Sequence, residues 1–309
     1  MRHTEIRLKT KKFVNWQLYS MLIPGLALML IFNYLPMAGI VLAFKDIDYS
    51  GNIFSSPWIG LKNFEFLFRT PDAWVITRNT LLYNFAFIVL GLVLSVALAI
   101  LLNELRQKKA AKLYQSLIFL PYILSWVIVS FLLYAFLSPE YGFINKYILP
   151  FLGIEKIQWY TEAKYWPYLI IFLNLWKNVG YNSVVYIAAI AGIDKQLYEA
   201  AEIDGATKWQ QIKYITIPSL STLMFILTIL NIGKIFYSDF GLFYQATLNS
   251  GPLYPVTNVV DTYVFRALMV TGDTGMAAAA ALYQSVLGFI LVVSANYITK
   301  KIDPDKSLY

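Results

Sequence analysis

Tyr198-Glu199-Ala200-Ala201-Glu202-Ile203-Asp204-Gly205-Ala206-Thr207, running on to Ile215-Thr216-Ile217-Pro218, decides how this chain is built. Asp194 stands where it can cap a helix that begins at Lys195. Ala200 and Ala201 favour helix and add almost no bulk, so another surface can approach closely. Gly205 breaks the pattern and permits a tight turn. Thr207 with Gln210 three residues on has the spacing of a capping box for a second short helix. Pro218 suits the first turn of whatever helix follows. The spacing predicts two short helices meeting at Gly205. Glu199, Glu202 and Asp204 would offer charge to basic residues of a partner.

On both sides of this segment lie long apolar runs. Crossing a hydrocarbon layer of about 30 Å takes roughly 20 residues. Six runs meet that length, at about 15–43, 79–102, 113–137, 166–191, 218–239 and 277–298. The first is too long for the core of a cleaved signal, and no small-residue cleavage site follows it. The segments between them carry charge asymmetrically. Arg2, Arg7, Lys9, Lys11, Lys12, Arg106, Lys108, Lys109, Lys112, Lys195, Lys208, Lys213, Lys300, Lys301 and Lys306 fall on one side, against eight acidic residues. The alternate segments and the helices hold ten basic and ten acidic residues, so the whole net charge of +7 sits on that side. The positive-inside rule makes it the cytoplasmic side, with both termini there. The expected organisation is a basic tail at 1–14, a six-helix membrane domain at 15–299 with a cytoplasmic loop at 192–217, and a short tail at 300–309. In the third outer loop, about 256–269 reads as a short surface helix.

Composition agrees. Of the 309 residues 58% are hydrophobic and only 14% charged, too little charge to cover a soluble domain of this size. A lipid-facing surface resolves the shortage. There is no cysteine, which excludes disulfides, thiolate nucleophiles and cysteine metal sites. The single histidine, His3, lies in the basic tail with no cluster of ligands around it. No catalytic residue and no metal site is expected. The net positive charge follows topology, so it does not imply nucleic acid. No Gly-rich phosphate loop ending in Lys-Ser/Thr occurs, so the chain should not hydrolyse ATP itself.

Polar residues inside apolar runs are costly and so informative. Asn174, Asn178 and Asn182 recur at a spacing of four, along one face of the fourth run, flanked by Lys177 and Tyr181. Amides and aromatic faces suit sugar hydroxyls and rings; the other reading is hydrogen bonding between helices. Both turn the stripe inward. Asn231, Lys234, Tyr237 and Asp239 end the fifth run, Asn79 and Asn84 open the second, and Gln284 lies in the sixth. The candidates for a solute pathway are Asn174, Asn178, Asn182, Asn231, Tyr237, Asp239 and Gln284. Gly275, Ala279 and Gly288 read as close helix packing.

Glu199-Ala200-Ala201, then Gly205, Ile215 and Pro218, resembles the EAA motif of ABC importer permeases, with Ile217 where leucine is usual. Asp239-Phe240-Gly241-Leu242-Phe243-Tyr244-Gln245, Asp261-Thr262-Tyr263-Val264, Gly272-Asp273, Gly275-Met276-Ala277-Ala278-Ala279-Ala280 and Lys301-Ile302-Asp303-Pro304 resemble the carbohydrate type of these permeases, the MalF/LplB-like polysaccharide group. The resemblance covers about 15–309 and implies an all-α integral membrane protein of the type I importer (MetI-like) fold in a bacterial cytoplasmic membrane. It implies a coupling helix that docks an ATPase through Glu199, Ala200, Ala201, Asp204, Gly205 and Thr207. It further implies a second homologous permease, two ATPase subunits that bind ATP, an extracellular solute-binding protein and an oligosaccharide substrate. The chain itself would need no cofactor. Two other readings compete. A self-sufficient, ion-coupled secondary transporter would show more intramembrane charge and leave the EAA segment unexplained. A membrane enzyme would need grouped carboxylates, and Asp239, Asp261 and Asp273 form no group in sequence.

Overall fold

The computed structural model describes residues 16–49, 55–65, 69–105 and 107–302. The tail expected at 1–14 lies outside the described residues, as do residues 303–309 of the tail expected at 300–309, whose first three residues instead continue the last helix. Among the described residues the chain is helical, and the one β contact is an isolated bridge between Lys45 and Trp58.

Helix α1, Trp16–Met29, carries Pro24 and passes through a wide π turn, Leu30–Tyr34, into a tight 3-10 stretch, Leu35–Phe44. Pro36 opens that stretch; without an N–H, and with its ring crowding the turn before it, it cannot continue a regular α ladder. Helix α2, Pro71–Asn103, starts on Pro71 in its first turn and runs 33 residues, about 50 Å at 1.5 Å per residue. It therefore projects well beyond a hydrocarbon layer and begins earlier than the apolar run alone suggests.

The third apolar run is where the structure departs most from expectation. A single helix was expected over 113–137, but two form, α3 at Lys108–Ile123 and α4 at Trp126–Leu137. They meet at an angle of 96°. Pro121 lies in the last turn of α3, and the Ser125 hydroxyl accepts the Ile128 N–H at 3.3 Å to cap α4.

Helix α5, Trp166–Ala191, begins with Pro167 in its first turn. Then come α6, Lys195–Ile203, and α7, Lys208–Gln211, which runs through a π turn, Ile212–Thr216, into α8, Ile217–Ile232. The fifth span is thus continuous from Lys208 to Ile232, earlier in the chain than the expected 218–239. Helix α9, Val260–Met269, occupies the third long loop, and α10, Thr274–Ile302, closes the fold. Among the described residues four spans, Tyr19–Phe44, Pro71–Asn103, Lys208–Ile232 and Thr274–Lys301, are long and apolar enough to cross a membrane, and the bent α3–α4 pair counts as a fifth when its two arms are taken as one span. Helix α5, the remaining member of the expected six, has the length, but its apolar run is interrupted by Asn174, Lys177, Asn178 and Asn182.

Helices α2 and α5 pack along much of their lengths, and α3 lies against α5. Gly180 makes the second contact possible: a Cβ there would lie 2.1 Å from the Ile118 carbonyl oxygen. Small residues that let helix backbones touch replace the hydrophobic drive that lipid cannot supply. Two buried clusters hold the bundle. One joins Val96, Ala99, Tyr186, Ile190 and Leu220 near the α6–α7 elbow. The other joins Tyr83, Val129, Leu137, Trp166, Ile170, Leu242 and Phe243 at the opposite, loop-bearing end.

Those loops are pinned by buried polar contacts. Asn145 donates to the carbonyls of Pro139 and Ile157 and accepts the Trp159 indole N–H at 3.0 Å. Helix α9 was expected on the surface, yet Val260, Thr262 and Ala267 are buried. Its first N–H donates to the Thr80 hydroxyl of α2 at 3.1 Å, so the helix is clamped to the bundle.

Candidate functional site

Two features stand out, a polar cavity between helices and the exposed α6–α7 elbow. The cavity, of about 720 Å³, is walled by α2, α5, α8 and the turns that follow α8. From α5 come Asn174, Asn178, Tyr181 and Asn182, which the helical period places on one face. From α8 and beyond come Asn231, Lys234, Tyr237 and Asp239. Helix α2 adds Asn84, Phe87, Gly91 and Ser95. Six of the seven expected pathway residues therefore share one space. Gln284 is not among the walls: it is buried, and its amide donates to the Phe236 carbonyl at 2.6 Å and to Asp261 Oδ1 at 3.1 Å. Burial pushes the Asp261 carboxyl above its usual range, opposed by the bonds from the Ser238 N–H and Gln284.

The polar wall residues differ in how far they are already engaged. Asn178 donates back to the Asn174 carbonyl at 3.0 Å, and Asn84 donates to the Ile235 carbonyl and the Ser238 hydroxyl. Asn79, one turn earlier, is buried and ties α2 to the carbonyls of Pro255 and Asn258. Asn182 and Asn231 are exposed to the cavity. An amide offers two donors and an acceptor, the complement of a sugar hydroxyl. Phe87, Tyr181 and Tyr237 supply the aromatic faces.

The α3–α4 break is tied to two residues of the cavity wall, Tyr181 and Asp239. Lys177 of α5 is buried, and its ammonium donates to the carbonyls of Pro121 at 3.2 Å, Tyr122 at 3.0 Å and Leu124. The Tyr122 and Leu124 carbonyls lie at the end of α3, where no later turn supplies an N–H; the Pro121 carbonyl also accepts the Leu124 N–H at 3.3 Å. The same ammonium lies 5.2 Å from the Trp126 ring. Tyr122 stacks on the cavity residue Tyr181 at 4.1 Å, nearly parallel. Trp126 donates its indole N–H to Asp239 Oδ2 at 2.6 Å. The lysine that flanks the asparagine stripe thus holds the broken helix together and does not face solute. Phe87, Gly91 and Ser95 were missed in the sequence; apolar and small residues on a long apolar helix give no sign of which face meets a cavity.

The elbow has the local structure its sequence requires. Asp194 accepts the Gln196 N–H at 3.0 Å and caps α6. Thr207 and Gln210 form the reciprocal box, with N–H to side-chain distances of 3.3 and 2.7 Å. Gly205 turns with φ +76°, a left-handed conformation that a side chain would strain. Lys208 Nζ reaches Glu202 Oε1 at 2.7 Å across the turn, and the Tyr198 hydroxyl meets Thr216 Oγ1 at 2.9 Å at the foot of α8. The Lys208 ammonium holds the Glu202 carboxyl below its usual value. Glu202 is therefore engaged within the elbow, whereas Glu199 and Asp204 have no ion pair or hydrogen bond to their carboxylates among the described residues. Glu199, Ala200, Asp204, Gly205 and Thr207 are exposed and Ala201 half-buried. Beside them Ile203 is 86% and Trp209 70% exposed, large apolar surface at a charged turn.

Among the described residues no group of three or more His, Cys, Asp or Glu side chains is placed to hold a metal ion.

Residues 91–304 match the family described as the binding-protein-dependent transport system inner membrane component, and the chain belongs to that family. Protein LplB of Bacillus subtilis is 35% identical over 290 residues, 93% of this chain and 90% of that one. The polygalacturonan/rhamnogalacturonan transport system permease protein YteP of the same organism is 36% identical over 295 residues, 96% of this chain and 91% of that one. The crystal structure of a bacterial ABC transporter involved in the import of the acidic polysaccharide alginate contains a chain that superposes with a TM-score of 0.84 at 32% identity, covering 93% of this chain and 96% of that one. The fold is that of an ABC importer permease, and the protein is a multi-pass membrane component of such a system.

Proposed function

We propose that this chain forms half of the transmembrane pathway of an ABC importer for an oligo- or polysaccharide. The observation that carries the reading is the cavity, where six polar residues scattered over the sequence from Asn174 to Asp239 line one space. Amides and aromatic faces in a membrane-embedded space suit a neutral or polar ring-shaped solute better than an ion or a lipid tail. Likeness to permeases named for polygalacturonan/rhamnogalacturonan and alginate transport supports the saccharide assignment.

A second, homologous permease would supply the other half, and a solute-binding protein would deliver the solute at the loop-bearing end. The related alginate importer has been solved with a pentasaccharide-bound periplasmic protein. Two ATPase subunits would dock on the elbow, with Glu199, Ala200, Ala201, Asp204, Gly205 and Thr207 at the contact. The internal bracing of the elbow by Glu202–Lys208 and Tyr198–Thr216 suits it to pass a movement into α8 as a rigid body. The elbow and both termini would face the cytoplasm, following the basic residues.

Purification from the host in mild detergent tests this, with Glu199→Lys beside wild type. Wild type should bring down a second permease and an ATPase, and the variant should retain the permease and lose the ATPase. Wild type that purifies without either partner defeats the proposal.

A further inference from the structure

The cavity's charge is unevenly committed. Among the described residues two of its wall residues are charged, Asp239 and Lys234. Asp239 is fully engaged: Trp126 donates to Oδ2, and the backbone N–H groups of Gly241 and Leu242 donate to Oδ1 at 3.0 and 3.3 Å. Its negative charge also lies within electrostatic range of Lys177, whose own donors are spent on the carbonyls of the α3–α4 break. Lys234 has no such partner. It follows Gly233 at the end of α8 and is exposed to the cavity. Its ammonium makes no ion pair, hydrogen bond or ring contact among the described residues. Within the walls the carboxylate is therefore held by three donors, and the Lys234 ammonium is the charge left uncommitted toward the void.

An unanswered ammonium within a membrane protein is costly, and an anion that enters the cavity relieves the cost. We propose that Lys234 reads the carboxylate of a uronic-acid-containing saccharide, which makes acidic sugars the cargo class of this cavity. The proposal rests on the cavity's being the solute pathway. Its chemistry is that of a lysine: a point charge with three donors on a flexible stem follows a carboxylate without demanding fork geometry. That suits a pathway, where a site must attract solute and then release it. Asn182 and Asn231 line the same space for the hydroxyls, and Tyr237 for a ring face.

The test uses the assembled transporter with its binding protein in liposomes containing ATP. The probes are oligogalacturonides and alginate oligosaccharides, each beside its carboxyl-reduced, neutral counterpart. Wild type should import acidic oligomers. Lys234→Met should lower that import at least tenfold, and Lys234→Arg should keep it within about threefold of wild type. Acidic import by Lys234→Met at the wild-type rate overturns the inference and leaves the pathway reading standing. Loss in Lys234→Arg as well as Lys234→Met, with both complexes intact by size-exclusion chromatography, also overturns it. Import by wild type confined to the neutral oligomers does the same. A wild-type complex that hydrolyses ATP yet imports neither form counts against the saccharide pathway itself.

Discussion

Replacing Lys177 by methionine should release the break between α3 and α4. Methionine matches the stem in length and keeps the apolar contacts, but it offers no donor. The carbonyls of Pro121, Tyr122 and Leu124 then lose their common partner, and of the three Pro121 keeps the Leu124 N–H while the other two lie at the end of α3 with no later turn to supply one. A hydrogen bond to a charged group contributes roughly 1.5–3 kcal/mol net. Three on one ammonium share a single desolvation cost and do not add, so the expected loss is about 3 kcal/mol. At about 2–4 °C per kcal/mol for a chain of this order, the unfolding midpoint in detergent should fall by roughly 6–12 °C. The cysteine-free chain allows a direct second readout, because one label on α3 and one on α4 have no competing thiols. The distance between them should be narrowly distributed in wild type and broaden in Lys177→Met. A variant with the wild-type midpoint and the wild-type distance distribution would show that the 96° bend is held by something else, and the account of Lys177 would be wrong.

Three further outcomes follow from the same geometry. Gly180→Ala places a methyl 2.1 Å from the Ile118 carbonyl oxygen, so α3 must move away by about 1 Å; a cost of roughly 1–3 kcal/mol should appear as a lower unfolding midpoint. Gly205→Val forces a branched side chain into φ +76° with nothing crowding it, so the penalty of about 1–2 kcal/mol is conformational and should loosen the elbow, read as faster backbone hydrogen exchange over 195–211. The Glu202–Lys208 pair lowers the Glu202 carboxyl from 4.5, so its contribution is fully present above that value and is lost as pH falls through the depressed folded value; Glu202→Gln should remove this acid-side dependence from elbow exchange and leave exchange near pH 8 little changed.

Much of this was legible in the sequence, and the reasons divide by physical cause. Elbow geometry is local. A cap at Asp194, a reciprocal box at Thr207–Gln210 and a left-handed glycine at 205 are set by neighbours within four residues, so spacing alone exposes them. Apolar runs are equally plain, because lipid demands about 20 residues wherever it is crossed. The break at 124–125 was only half visible. Pro121 and Ser125 mark it locally, but a proline near the end of an apolar run is also compatible with a kink, and the group that makes a bend of 96° tolerable, Lys177, lies more than fifty residues away. For polar residues inside spans, sequence gives the inward direction but not the neighbour. Asn182 and Gln284 look alike in one dimension; in three, one faces the cavity and the other bonds to Phe236 and Asp261. Lys177 and Lys234 divide in the same way, one closing a helix end and one facing the void.

ATP-dependent uptake of labelled acidic oligosaccharide by liposomes containing the purified complex tests the central claim most directly. Uptake should require internal ATP and the solute-binding protein outside, and it should stop in a complex carrying Glu199→Lys. Uptake by this chain alone, driven by an ion gradient and indifferent to ATP, would contradict the account and establish a secondary transporter in its place.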